Sequence, residues 1–117
     1  MDPRSEFGTS GEDLAARLYE RDGYEILERN FRCPQGEIDL VVRHRGTIVF
    51  CEVKARRTDY FGDPSEAVTP VKQARLRRLA MVWLSRNRAR ANKIRFDVVS
   101  IVQDDGGSKV RRLDNAF

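Results

Sequence analysis

A chain of 117 residues is long enough for one compact domain, and its 40% hydrophobic content is enough to build a core. No apolar run approaches the ~18–20 residues that a membrane helix requires, which excludes a membrane-spanning helix. Two cysteines without a CxxC spacing and a single histidine exclude a zinc site with four Cys or His ligands.

The N-terminal residues 1–9 are expected to be disordered or vector-derived, and residues 10–117 are expected to form a single domain. No signal-peptide pattern opens the chain. Cys51 falls within an apolar strand pattern, which favours a reduced thiol in a cytoplasmic protein. A disulfide between Cys33 and Cys51 is the alternative.

Basic residues are concentrated in one part of the chain. The whole sequence has a net charge of +4, and the segment from Lys72 to Arg95 holds nine Lys or Arg and no acidic residue. Such a cationic surface suits the phosphate backbone of a nucleic acid. The alternative is a solvated helix face whose charges only keep the protein soluble.

The chain is predicted to begin with a helix, with Ser10 as its N-cap and Gly23 as its C-cap. Its apolar stripe consists of Leu14, Ala15, Leu18 and Tyr19. A first strand over 24–32 and a turn over 34–36 follow. Alternating residues then predict strands over 37–43 and 47–56, joined by Arg45-Gly46.

After a polar loop over 57–68, Thr69 is the predicted N-cap of a long helix and Pro70 its first residue. The core-facing residues of this helix are Leu76, Leu79, Ala80, Trp83 and Leu84. A strand over 94–102 is apolar on both faces, which indicates a central position. A short last strand is predicted over 109–113.

The resulting order is α-β-β-β-α-β, with one further short strand at the end. It predicts an antiparallel meander that begins a mixed sheet flanked by helices, which is an α/β layer fold.

The two middle strands bring acidic and basic side chains together. Because side chains alternate along a strand, Glu52 and Lys54 share a face of the third strand, opposite Cys51 and Val53. With Arg45-Gly46 as a two-residue loop, Asp39 lies directly opposite Glu52, about 4.5–5.5 Å away between Cβ atoms. Glu37 then lies opposite Lys54.

Other loop lengths change this result. A four-residue loop keeps Asp39 on the same face but diagonal to Glu52, whereas a three-residue loop turns Asp39 onto the Cys51 face. A purely structural interpretation also remains, in which these residues form cross-strand ion pairs on an ordinary hairpin. Against it, the favoured register places carboxylates opposite carboxylates, where charge pairing for stability would alternate the signs.

Two facing carboxylates repel each other unless something compensates their charge. A hard divalent cation such as Mg²⁺ is suited to this because it prefers oxygen ligands and takes one or two carboxylates. Such an ion promotes phosphodiester hydrolysis, and Lys54 could stabilise the charge that develops in the transition state. The pattern therefore favours a hydrolytic site.

Five motifs stand out along the chain: Gly11-Glu12, Gly36-Glu37-Ile38-Asp39-Leu40-Val41, Phe50-Cys51-Glu52-Val53-Lys54-Ala55-Arg56, Arg95-Phe96-Asp97-Val98-Val99 and Asn115-Ala116-Phe117. Together they resemble the YraN-type family of uncharacterised bacterial proteins over nearly the whole chain. That family is regarded as endonuclease-like, within the PD-(D/E)xK superfamily and similar to archaeal Holliday-junction resolvases. The resemblance implies a restriction-endonuclease-like fold and, by analogy, nuclease activity.

The resemblance also implies roles by position. Asp39 and Glu52 match acids that bind Mg²⁺ or Mn²⁺, and Lys54 matches the catalytic lysine. Glu12 matches an acid on the first helix that can hold a metal-bound water. Gln73 resembles a glutamine that some branches keep beside the active site, although it can equally be an ordinary polar helix residue. Because the resolvases cut two strands symmetrically, a homodimer is implied as well.

Basic residues near these motifs are candidates for nucleic-acid binding. Arg56 and Arg57 directly follow the lysine and could meet phosphates of the scissile strand. The second helix adds Lys72, Arg75, Arg77, Arg78, Arg86, Arg88 and Arg90. Residues of one helix point in several directions, so not all of them can contact one duplex.

Two further polar residues are expected to be structural. His44 lies near a turn and is expected to be exposed. Asp97 lies among apolar residues of the central strand and is expected to be hydrogen-bonded or ion-paired.

The leading hypothesis is a Mg²⁺- or Mn²⁺-dependent endonuclease that hydrolyses DNA, with branched structures as candidate substrates. One alternative is a nucleic-acid-binding module that has a nuclease fold and does not cut. Another is an interaction protein whose partner is a protein.

Overall fold

The computed structural model describes residues 3–56, 68–104 and 106–117, with side chains from residue 11 onwards except that of residue 104. Arg57 therefore lies outside the described residues. The elements are α1 (Pro3–Arg21), β1 (Glu25–Cys33), β2 (Gly36–His44), β3 (Thr47–Arg56), α2 (Pro70–Arg86), β4 (Lys93–Asp104) and β5 (Gly107–Leu113).

The five strands form one sheet in the order β1-β2-β3-β4-β5. β1, β2 and β3 form an antiparallel meander, β3 and β4 are parallel, and β5 pairs antiparallel with β4. The parallel pair requires a crossover, which α2 provides. The predicted α/β mixed sheet flanked by helices is confirmed, and it is consistent with a restriction-endonuclease-like fold. Among the described residues, no helix is long and apolar enough to cross a membrane.

Each helix covers one face of the sheet. On the α2 face, Phe50 and Phe96 pack against helix residues that include Leu79 and Trp83. On the α1 face, Tyr19 and its neighbours pack against a second cluster that includes Leu40, Val49 and Cys51. The predicted face alternation along β3 is therefore confirmed.

Two of the three predicted helix ends follow the sequence signals. Thr69 caps α2 by accepting a hydrogen bond from the Lys72 amide at 3.3 Å, and Pro70 is the first helical residue. Gly23 follows the end of α1 with φ of 89°, a conformation that glycine adopts without strain. α1, however, begins at Pro3, before its predicted start at Ser10. The vector origin of residues 1–9 stays a prediction.

Asp97 is the one buried charged residue among those described, and its carboxylate is fully hydrogen-bonded. It accepts from the Tyr19 hydroxyl at 2.7 Å, from two nitrogens of Arg95 at 2.9 Å and from the Asn115 amide at 2.9 Å. The group therefore joins α1, β4 and the C-terminal segment. The predicted structural role of Asp97 is confirmed.

Removing this carboxylate should destabilise the fold. We expect Asp97→Ala to lower the free energy of unfolding by about 3–5 kcal/mol, because it removes the buried acceptor shared by Arg95, Tyr19 and the Asn115 amide. Asp114→Ala is the control, since that exposed acid pairs with Arg112 at 2.8 Å and reaches Arg95 only at 3.6 Å, so it should contribute less than about 1 kcal/mol. Urea unfolding of both variants measures the difference, and equal losses would contradict the role given to Asp97.

The structure also decides between the two states predicted for the cysteines and corrects the expected exposure of His44. Cys33 and Cys51 are both free thiols, so the alternative disulfide does not form. His44 is half-buried instead of exposed, because its ring packs on Tyr24 with the centroids 4.8 Å apart.

Candidate active site

The connection between β2 and β3 sets the register of the site. His44 pairs with Thr47, which confirms the two-residue loop, and Arg45 takes the left-handed conformation that such a turn requires (φ 56°). Pairing continues as far as Leu40 with Cys51. The next position along this register holds Asp39 and Glu52.

The two strands separate at this position, and the Asp39 carboxylate enters the opening. Its Oδ2 accepts a hydrogen bond from the Val53 amide at 2.8 Å, in place of a carbonyl oxygen from the neighbouring strand. The bond fixes the Asp39 carboxylate beside β3. The predicted pair of Glu37 with Lys54 lies beyond the end of the ladder, and Glu37 pairs with Arg32 at 3.1 Å instead.

Asp39 and Glu52 are half-buried neighbours at the end of the β2–β3 ladder. Burial raises the pKa of Glu52 to about 7, and the negative charge of Asp39 adds to the effect against the opposing charges of Lys54 and Lys72. Burial also raises the pKa of Asp39. The negative charges of Glu37 and Glu12 add to this rise, and the hydrogen bond from the Val53 amide opposes it. The structure thus brings together two acids whose ionisation is opposed by burial.

Glu12 approaches this pair from α1. The Asn30 amide Nδ2 donates to its Oε2 at 2.9 Å, and the neighbouring Arg29 donates to Asp13 at 2.6 Å. The negative charge of Glu12 contributes to the raised pKa of Asp39. α1 therefore contributes a third acid to the neighbourhood of the site.

A cleft of about 240 Å³ lies on the α2 side of Glu52. Lys72 and Arg75 supply its positive charge, and its apolar wall consists of Val68, Leu76 and Leu79. Gly36 and the acidic Glu37 complete the lining, and a Cβ at Gly36 would lie 3.4 Å from Leu79. The start of α2 thus presents two cations beside the paired acids.

The other predicted residues have different surroundings. The Gln73 side-chain amide donates to the Val68 carbonyl at 3.1 Å, so it holds the segment that leads into α2. Arg77 lies over the rings of Phe96 and Phe117, at 5.1 and 5.4 Å from their centroids. Arg78 is exposed on α2, and Arg56 ends β3.

The chemistry of the site fits a hard divalent cation, since Asp39 and Glu52 offer carboxylate oxygens and their repulsion would be relieved by positive charge. Within the described part of the chain, no group of three or more His, Cys, Asp or Glu is arranged as a metal site. The acids that would hold a cation are therefore this pair, with Glu12 near them.

Comparison with known proteins places the chain in a family. A sequence model of the uncharacterised protein family UPF0102 matches residues 11–101, which include all three acids and the lysine. The chain belongs to UPF0102. The predicted resemblance to the YraN-type proteins is thereby confirmed.

The UPF0102 relatives match over almost their full length. The chain is 48% identical to a UPF0102 protein of Beutenbergia cavernae over 108 residues, covering 92% of each chain. It is 48% identical to one of Syntrophomonas wolfei over 112 residues, covering 96% of this chain and 97% of the relative. For one of Pelobacter propionicus, the identity is 46% over 113 residues, with 94% and 81% covered.

Sequence reasoning missed two features of this UPF0102 site. The Val53 amide is a backbone donor, and no side-chain pattern can reveal it. Asn30 of β1 contacts Glu12. The sequence feature that could have indicated a special role is the occurrence of asparagine within a strand, where this residue is disfavoured.

Proposed function

We propose that this protein is a Mg²⁺- or Mn²⁺-dependent endonuclease that hydrolyses phosphodiester bonds of DNA. The observation that carries the proposal is the placement of two half-buried acids, Asp39 and Glu52, opposite each other where β2 and β3 separate, with Lys54 on the same strand as Glu52. Burial raises the pKa of both acids, and the charge of Asp39 raises that of Glu52 further; acids perturbed in this way are costly to stability and concentrate at functional sites.

Asp39 and Glu52 would hold the cation, with Glu12 as a further acid that can reach its water ligands. A bound divalent ion supplies Lewis-acid activation of water and of a phosphoryl oxygen. The Val53 amide keeps the Asp39 carboxylate oriented toward Glu52 before any ion binds, which reduces the entropy lost on binding.

The other residues act on the DNA itself. Lys54 carries a positive charge close enough to Glu52 to lower its pKa, so it can stabilise negative charge that develops on the phosphate. Lys72 and Arg75 face the same cleft and are placed to contact flanking phosphates. Arg56 and Arg78 are further candidates for backbone contacts. Arg77 is better suited to stabilising the C-terminal segment, because its guanidinium packs on two rings.

Branched DNA is the substrate structure that we propose to test first, and a homodimer is the assembly. Both follow from the resemblance to the resolvases, since symmetric cleavage of a junction requires two copies of the site.

The test is cleavage of supercoiled plasmid and of a four-way junction with Mn²⁺ and with EDTA. We expect wild-type protein to cut in Mn²⁺, and Asp39→Asn and Glu52→Gln to be slower by at least about 100-fold. Equal rates for wild type and both variants would remove the catalytic claim. Binding that weakens steeply with salt and no cleavage by any variant would favour the non-cutting nucleic-acid-binding module instead.

Changing the two cleft cations should weaken DNA binding in a salt-dependent way. We expect Lys72→Gln with Arg75→Gln to reduce the slope of log affinity against log salt by about 2, one for each lost phosphate contact. Arg77→Gln removes the same kind of charge outside the cleft and is the control. Its slope should be unchanged while its Tm falls, because the contacts with Phe96 and Phe117 are lost. Fluorescence anisotropy over a series of salt concentrations measures the slopes, and identical slopes for all variants would exclude the cleft as the DNA contact.

A further inference from the structure

β1 contains an irregularity directly beside Asp39. The pairing of β1 with β2 includes Arg29 with Leu40 and Phe31 with Ile38, but it skips the position between them, which holds Asn30 and Asp39. Asn30 has a left-handed backbone with φ of 55°. This conformation costs most residues about 1–2 kcal/mol, and glycine and asparagine adopt it most readily.

At this irregularity, the side chains of both strands change the face of the sheet on which they lie. Ile38 packs in the α2 cluster and Leu40 in the α1 cluster, although two residues at this spacing share one face of a regular strand. On β1, the consecutive residues Arg29 and Asn30 both contact α1. The change of face lets Asp39 leave the regular pleat and reach the Val53 amide.

Glycine could also adopt the left-handed backbone conformation at residue 30. The asparagine side chain therefore has an effect of its own, apart from that conformation. Its amide donates to Glu12 Oε2 at 2.9 Å. The Arg29 guanidinium is also near this oxygen, at 4.0 Å, but its hydrogen bond goes to Asp13. Asn30 is therefore the group that orients the Glu12 carboxylate.

We propose that Asn30 is a positioning residue of the nuclease site, which orients the Glu12 carboxylate while its left-handed backbone frees Asp39 from the ladder. The inference rests on the proposed function, because the benefit of orienting Glu12 is a third acid near the bound cation. Asn30 acts through Glu12, and a group that orients a ligand in this way affects metal affinity by up to about 10–100-fold.

The test is Mn²⁺ titration of the full chain by calorimetry, combined with Tm in EDTA. Asn30→Gly keeps the backbone conformation and removes only the amide, and Asn115→Gly is the matched control at another left-handed asparagine (φ 54°). We expect Asn30→Gly to weaken Mn²⁺ binding about three- to tenfold, with the metal-free Tm within about 2 °C of wild type. Asn115→Gly should bind Mn²⁺ as wild type does.

A double-mutant cycle separates positioning from a general effect. In a Glu12→Ala background, Asn30→Gly should change the Mn²⁺ affinity by less than about twofold, because the residue through which it acts is gone. Unchanged affinity in Asn30→Gly, or full additivity with Glu12→Ala, would overturn the inference and leave the proposed function intact. If wild type binds no Mn²⁺ at all, the proposed function fails and the inference fails with it.

Discussion

Replacing Lys54 by methionine should slow DNA cleavage by about 10²–10³-fold while Mn²⁺ binding remains at least as tight as in wild type. The reason is that Lys54 lies beside Glu52 without being a ligand, so its ammonium opposes cation binding and acts on the phosphate. Its positive charge already lowers the pKa of Glu52 in the free protein. Single-turnover cleavage and Mn²⁺ titration of the same preparation measure the two effects separately.

Lys54→Arg is the matched control for this prediction. It keeps the charge but replaces a compact ammonium by a planar guanidinium, so a partial recovery of the rate is expected. A Lys54→Met variant that cuts as fast as wild type would show that the lysine has no part in catalysis. Loss of Mn²⁺ binding in that variant would show that it organises the carboxylates instead.

Replacing Glu52 by glutamine should stabilise the metal-free protein at pH 8 and abolish tight Mn²⁺ binding. The pKa of Glu52 is about 7 in the folded protein against an ordinary value of 4.5. Between these two pH values the folded state keeps a proton that the unfolded state loses, so stability falls as pH rises through this window. Above pH 7 the folded protein bears the full cost of the ionised pair.

The size of the gain follows from the same shift. Each tenfold change in the ionisation constant corresponds to about 1.4 kcal/mol, and partial screening by solvent reduces the total to about 1–2 kcal/mol. Glu52→Gln should therefore be more stable than wild type by this amount at pH 8 and nearly equal to it at pH 4. Urea unfolding at the two pH values measures the difference.

The exposed Glu25 of β1 provides the control, since Glu25→Gln makes the same chemical change away from the site. It should leave both the stability at pH 8 and the Mn²⁺ affinity close to wild type. If the stability gain of Glu52→Gln over wild type is no larger at pH 8 than at pH 4, the ionised carboxylates of Asp39 and Glu52 do not repel each other.

Local signals predicted most of the fold. Thr69 and Pro70 marked the start of α2 because capping and proline geometry act within one turn. Arg45-Gly46 fixed the hairpin, and with it the placement of Asp39 next to Glu52, because loop length determines register. Alternation along β3 correctly separated the residues of the two clusters.

Two of the three features that were not predicted depend on contacts between distant parts of the chain. The start of α1 at Pro3 lies outside the capping pattern at Ser10. His44 is covered by Tyr24, a neighbour that no local pattern specifies. Strict alternation also could not indicate the change of face at Asn30 and Asp39, since it needs the partner strand and α1 to hold it. The last of these departures lies at the candidate site, where local rules are most often broken.

The most direct measurement is anomalous diffraction from crystals of the protein soaked in Mn²⁺. The account predicts an anomalous peak within about 2.5 Å of carboxylate oxygens of both Asp39 and Glu52, the range for oxygen ligands of divalent cations. The peak should be absent from crystals of Glu52→Gln. Wild-type crystals with Mn²⁺ bound elsewhere, or with none at this pair, would contradict a metal-dependent nuclease site.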